Sequence, residues 1–78
     1  MLKIKDNVDL KELEKFGLKK SYLDYTKKST IANDYLMVDI KHRVIYIDTD
    51  DKDSGDCADL LDTLFDLIKA DIVEKVSD

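Results

Sequence analysis

The residues of this chain that could do chemistry are one cysteine, one histidine and a run of acidic side chains at 48–56. A calcium loop needs oxygen ligands at positions 1, 3 and 5, glycine at position 6 and an acid at position 12. Placing Gly55 at position 6 puts Lys52 at position 3 and Leu61 at position 12, and neither supplies a ligand oxygen. The sequence therefore predicts no metal site and favours a solvated loop that caps the helix after it.

Nothing in the sequence indicates that Cys57 and His42 form a catalytic pair. A thiol in the first turn of a helix can be activated by the helix dipole, but a nucleophile also needs a base and a group that orients the base. His42 is predicted to lie in a hairpin turn, and nothing ties it to Cys57. One histidine and one cysteine cannot make a tetrahedral zinc site without carboxylates. We therefore predict no catalytic residue, no cofactor and no enzymatic activity.

Aromatic residues on the predicted strands are the remaining candidates. An aromatic sheet face can stack nucleic-acid bases when basic residues surround it, and six lysines and arginines lie on or beside these strands. The net charge of −5 opposes a polyanionic partner, and this favours a protein contact instead. The residues predicted to form the partner surface are Tyr25, Tyr35, Met37 and Tyr46.

Length and composition are typical of one small domain over residues 1–78. Hydrophobic residues make up 44% of the 78 residues and charged residues 40%, which suits a single core of modest stability. One cysteine excludes an internal disulfide framework and favours a cytoplasmic location. No apolar run approaches the ~20 residues of a membrane span. We therefore expect no membrane partner.

A first helix is predicted over residues 9–16. Asp9 and Glu12 have the spacing of a capping box. In this motif the Asp9 carboxylate accepts from the backbone N–H of Glu12, and the Glu12 side chain reaches back to the backbone N–H of Asp9. Gly17 is expected to end the helix in a left-handed conformation, with Leu18 folding back on the helix. The apolar stripe of this helix consists of Leu10, Leu13 and Phe16.

A second, longer helix is predicted after the acidic loop, with Ser54 or Asp56 as its cap and an end near Ala70. Asp71 could take a left-handed conformation at that end. The apolar side chains that recur at helical spacing are Cys57, Leu60, Leu61, Leu64, Phe65 and Ile68.

Alternation of apolar and polar residues predicts the strands. They are a short edge strand at 2–5 and strands at 20–26, 35–40 and 44–48, with an extended segment at 72–76. An even loop around His42 pairs Val38 with Ile45 and Leu36 with Ile47, because a slip of one residue would turn apolar side chains outward.

The order of these elements predicts an α+β fold. Reading along the chain gives β-α-β-β-β-α, with a further strand possible at the end. An antiparallel meander with both helices packed on one face would bury the apolar stripes in two layers.

The segments LKIKDNVDLKELEKFG (2–17) and DLIKADIVEKV (66–76) resemble small uncharacterised proteins encoded by phages and prophages of Gram-positive bacteria. The resemblance implies a phage-related setting in a bacterial cytoplasm. It includes no catalytic motif and transfers no activity or site residue.

The function predicted from the sequence is therefore a non-enzymatic protein-interaction module that binds another protein or associates with itself. The alternative is a nucleic-acid-associated protein that uses the basic, tyrosine-bearing strands. The charges are polarised along the chain: residues 1–46 carry 10 basic and 7 acidic side chains, and residues 47–78 carry 3 and 11.

Overall fold

The computed structural model describes residues 1–30, 33–49 and 58–76. Along these ranges the elements are β1 (Leu2–Ile4), a 3₁₀ helix (Leu10–Phe16), β2 (Lys19–Lys20), β3 (Asp24–Lys28), β4 (Asp34–Asp39), β5 (Val44–Thr49), α1 (Ala58–Lys69) and β6 (Val73–Lys75). The six described strands form one sheet in the order β2-β3-β4-β5-β1-β6, and every described pairing is antiparallel. The predicted α+β class is confirmed.

The predicted order β-α-β-β-β-α is wrong in its details, because the expected strand at 20–26 is two strands. Ser21 N–H donates to Asp24 C=O at 2.6 Å and closes a tight turn between β2 and β3. Tyr22 and Leu23 occupy this turn, although both are residue types that favour strands. The chain therefore forms a meander of four strands, β2 to β5. The extended conformation predicted for 72–76 is confirmed by β6, which pairs with β1.

The register predicted for the hairpin of β4 and β5 is confirmed. Val38 lies opposite Ile45 and Leu36 lies opposite Ile47. Apolar residues alternate in both strands, and a shift of one position would have turned the apolar side chains of one of the two strands outward.

A four-residue loop at 40–43 closes this hairpin. Arg43 takes a positive φ of 64°, and its N–H donates to Asp39 C=O at 2.7 Å. The Asp39 carboxylate accepts from the N–H groups of Lys41 and His42, each at 3.2 Å. The Arg43 guanidinium donates to two carbonyls after β1, those of Lys5 at 2.9 Å and Val8 at 2.6 Å. The loop is thus fastened to the segment that follows β1.

The first helix ends as predicted. Gly17 has a φ of 91°, a left-handed conformation that glycine adopts without steric cost. Its N–H donates to Glu14 C=O at 3.2 Å, and Leu18 N–H donates to Leu13 C=O at 3.3 Å. These two bonds form the Schellman motif.

The predicted type of this helix and its capping box are wrong. The helix is 3₁₀, with three residues per turn, so side chains three apart in sequence fall in one line. Its apolar residues Leu10, Leu13 and Phe16 have this spacing. Asp9 is the N-cap and accepts from Lys11 N–H at 3.0 Å. Glu12 pairs with Lys15 at 2.8 Å instead of reaching back to the cap.

Both helices cover the same face of the sheet, as predicted. Leu13 of the 3₁₀ helix and Leu60 and Leu67 of α1 are fully buried in one core with Leu36 and Val38. The other buried apolar residues of this core are Ile4, Leu18, Tyr25 and Ile45.

Helix α1 ends where the sequence predicted. Asp71 has a φ of 62°, and its N–H donates to Ile68 C=O at 3.0 Å. Its carboxylate also pairs with Lys5 Nζ at 2.8 Å, and this hydrogen bond lowers the pKa of Asp71 below its ordinary value. The caps predicted for the start of α1, the loop residues 50–56 and Cys57 lie outside the described residues.

Candidate interaction surface

One face of the sheet carries no helix among the described residues. Side chains alternate along a strand, so β4 directs Leu36 and Val38 to the helices and Tyr35 and Met37 to the other side. Met37 lies opposite Tyr46 of β5. Tyr35 is 37% exposed, Tyr46 is 42% exposed and Met37 is half-buried. These three residues form the open-face patch, and they are three of the four residues predicted from the sequence.

The fourth predicted residue, Tyr25, does not belong to this patch. It pairs with Val38 and so shares the helix-covered face, where it is 4% exposed. The prediction that Tyr25 contributes to an exposed surface is therefore wrong. Strand β3 has the sequence DYTKK. Both of its faces carry polar side chains, so alternation does not show which face is buried. Its pairing with β4 decides which side is buried.

Carboxylates surround Tyr46 on the open face. Its hydroxyl donates to Asp24 Oδ1 at 3.4 Å, and Asp39 and Asp48 also act on it electrostatically. Burial, followed by the charges of these three carboxylates and the hydrogen bond to Asp24, raises the pKa of Tyr46 above its ordinary value. The centre of the patch is thus aromatic and apolar in an acidic setting.

The two lysines of β3 lie on opposite faces of the sheet. Lys27 shares the helix-covered face with Tyr25, and its Nζ donates to Thr63 Oγ1 of α1 at 2.6 Å. Lys28 lies opposite Tyr35 on the open face, where Asp48 flanks the same tyrosine from the other side. Opposite charges therefore border Tyr35, and acids border Tyr46.

The spacing of apolar residues in α1 does not distinguish the buried side of this helix from its exposed side. Leu60 and Leu67 are fully buried, whereas Leu61 is 51% exposed, Phe65 62% and Ile68 48%. The predicted stripe combined both sets and omitted Leu67. The predicted apolar stripe was wider than one layer of packing can cover. This width indicated that some of its residues would be exposed.

The turn between β2 and β3 carries a further exposed pair. Tyr22 is 91% exposed and Leu23 64% exposed, at the tip of a hairpin. Both were expected inside a strand, so this exposure was not predicted.

Asp59 ties the first turn of α1 to the end of β3. Its carboxylate accepts from Ser29 Oγ at 2.9 Å, from Thr30 N–H at 2.7 Å and from Thr30 Oγ1 at 3.2 Å. The backbone N–H of Thr30, together with the two hydroxyls, lowers the pKa of Asp59 below its ordinary value. These bonds position the helix over the sheet.

Asp34, at the start of β4, is 1% exposed. Neither carboxylate oxygen accepts a hydrogen bond from any residue in the described ranges. The strand predicted for this region begins at residue 35, and nothing in the pattern indicated the burial of Asp34.

The described residues contain no cluster of three His, Cys, Asp or Glu side chains that could hold a metal ion. His42 is exposed in the hairpin loop, as predicted, and its Nδ1 lies 2.7 Å from Asp39 Oδ2. The hydrogen bond from His42 lowers the pKa of Asp39 below its ordinary value. Nothing in this pair resembles a nucleophile beside a base.

No helix within the described ranges combines the length and the apolar character that crossing a membrane requires. Comparison of the chain with protein-family models, with curated proteins and with solved structures finds no match. Function is therefore inferred from the chain's own surface.

Proposed function

We propose that this chain is a non-enzymatic protein-interaction module that binds its partner through the open-face patch. The supporting observation is the pairing of Met37 with Tyr46 at the centre of a sheet face that no described helix covers. Tyr and Met are enriched where proteins contact one another, because they bury a large area and retain some adaptability. The phage-related setting belongs to this proposal through the sequence resemblance alone, and the cytoplasmic location through that resemblance and the single cysteine.

The charges around the patch indicate the chemistry of the partner. Asp24, Asp39 and Asp48 surround Tyr46, so a complementary surface presents an apolar group bordered by lysine or arginine. The same carboxylates repel phosphates. Since Tyr25 is buried and Lys27 is bound to Thr63, the nucleic-acid alternative has less support than protein binding.

The proposal is tested by affinity capture from a nuclease-treated lysate of a Gram-positive bacterium. The test compares Tyr46→Ser with Tyr22→Ser, because Tyr22 is an exposed tyrosine away from the patch. We expect a protein retained by the wild type to be lost with Tyr46→Ser and kept with Tyr22→Ser. Charge reversal by Asp48→Lys should weaken the retention, and this effect should fade at high salt.

Circular dichroism melts confirm that each variant is folded before capture. Retention of the same proteins by all variants would show that the open-face patch is not the binding site. Retention that occurs only in a parallel lysate without nuclease, with a salt-sensitive gel shift of single-stranded nucleic acid, would replace the proposal with its alternative.

A further inference from the structure

A second apolar surface lies on α1, on the opposite side of the sheet from the open-face patch. Its three residues are Leu61, Phe65 and Ile68, each about half exposed or more. The spacings of four and three residues place them on one side of the helix over two turns. We call them the α1 stripe. Aliphatic and aromatic side chains grouped in this way mark a contact surface more often than isolated exposed residues do.

The α1 stripe differs from the core side of the helix. Leu60, Thr63 and Leu67 are buried and face the sheet. Asp59 is bound to Ser29 and Thr30. The stripe is thus available on a helix that the fold already holds in place, so binding there costs little ordering of the backbone.

The stripe is nearly symmetric about Phe65. Leu61 precedes it by four residues and Ile68 follows it by three. Two copies of α1 packed antiparallel would place Leu61 of one copy against Ile68 of the other, with the two Phe65 rings meeting at the two-fold axis. A two-fold interface uses the same patch on both chains and therefore requires such self-complementarity.

Two of the three exposed charged residues of α1 have the same symmetry as the stripe. Asp62 lies next to its first residue and Lys69 next to its last, and both are exposed. Neither has an ion-pair partner among the described residues. In the antiparallel arrangement Asp62 of each copy faces Lys69 of the other. Opposed helix dipoles add a favourable contribution. The complementarity of Asp62 and Lys69 favours a second copy of the chain as the occupant.

We propose that the chain forms a two-fold symmetric homodimer through the α1 stripe. Three side chains from each copy make a small interface, so the dimer is weak and its fraction rises with protein concentration. This inference does not depend on the proposed function. In the dimer both open-face patches point away from the shared interface, which makes the assembly bivalent toward a repeated partner.

The first test measures mass against concentration by light scattering and sedimentation equilibrium of the full chain. We expect a monomer–dimer equilibrium for the wild type, with Phe65→Asp raising the dissociation constant by at least about 30-fold. Leu23→Asp, at an exposed apolar position away from the stripe, should leave it unchanged. A wild type that is monomeric at every concentration would overturn the inference, as would a dimer that Phe65→Asp leaves intact.

The second test uses the charges and does not depend on substitution at Phe65. Asp62→Lys alone and Lys69→Asp alone each place like charges together in a homodimer, so each should dimerise more weakly than the wild type. Mixing the two variants should restore dimerisation, because the heterodimer has opposite charges at both contacts. A mixture that dimerises no better than its components would exclude the antiparallel arrangement. Loss of the wild-type dimer on Tyr46→Ser would assign the interface to the open face instead.

Discussion

The two helices lie on the same face of the sheet but use their apolar residues differently. All three large apolar residues of the 3₁₀ helix are buried or half-buried: Leu10, Leu13 and Phe16. Helix α1 buries Leu60 and Leu67 fully, yet leaves three others about half exposed or more. The 3₁₀ helix therefore packs its large apolar residues into the core, whereas α1 also leaves apolar residues exposed.

Helix geometry accounts for the difference. With three residues per turn, the 3₁₀ helix aligns its apolar residues in one narrow line that a single layer of packing covers. The α-helical turn of 3.6 residues spreads the apolar residues of α1 over a broad arc. The sheet covers one part of that arc, and the remainder faces outward. Excess apolar width on a helix thus indicates surface available for a second contact.

The largest expected effect is on the free energy of unfolding, and it separates the buried side of α1 from its exposed side. Leu67→Ala removes a fully buried side chain of α1 and should lower the free energy of unfolding by about 2–5 kcal/mol. Phe65→Ala, on the same helix, should change the stability of the monomer by less than about 0.5 kcal/mol. Urea denaturation at low protein concentration measures both. Similar losses for the two variants would show that the α1 stripe also supports the fold.

A smaller effect concerns how the two helices end. Gly17→Ala forces a residue with a β-carbon into the left-handed region and should cost about 1 kcal/mol. The added carbon would lie 3.4 Å from Lys27 Cε, an ordinary contact, so the cost arises in the backbone. Asp71→Gly relieves the corresponding strain at the end of α1 and should stabilise the protein. The lost ion pair with Lys5 offsets part of this gain. Thermal melts compare the two variants. A stabilising effect of Gly17→Ala would contradict this explanation.

The smallest effect is on acid stability. The pKa of Asp59 is lowered in the folded state, so folding disfavours its protonation. Its contribution is present above the ordinary value of 3.8 and is lost as the pH falls through the lower value of the folded protein. Asp59→Asn should therefore lower stability at neutral pH and flatten the loss of stability below pH 3.8. Denaturation midpoints across the acid range measure the slope. An unchanged slope would show that the link to Ser29 and Thr30 contributes nothing.

The features that the sequence predicted correctly are those in which the backbone preference of a residue agrees with the burial of apolar side chains in the fold. Gly17 follows the last apolar residue of its helix, and only glycine adopts the required conformation without steric cost. In the hairpin of β4 and β5 the apolar alternation is clear on both strands, so a single register buries both sets.

The features that the sequence did not predict depend on neighbours that a local pattern does not contain. Tyr22 and Leu23 favour strands, yet they form a turn because β2 and β3 pair across them. Tyr25 is buried because of its pairing with Val38, which belongs to another strand. For the candidate site, the placement of Tyr35, Met37 and Tyr46 on one face of the sheet followed from alternation. The α1 stripe did not, because periodicity shows an apolar side without showing how much of it the sheet covers.

The placement of β1 has a consequence for the order in which the molecule folds. This strand is near the start of the chain, but its neighbours are β5, through pairs such as Lys3 with Val44, and β6, through pairs such as Lys3 with Glu74. During synthesis the meander of β2 to β5 can assemble while β6 is still missing. The edge of β1 stays open until the last strand emerges, and contacts so distant in sequence form slowly. A chain stalled before residue 73 would expose that edge, which is the part of the sheet most prone to pair with a neighbouring molecule.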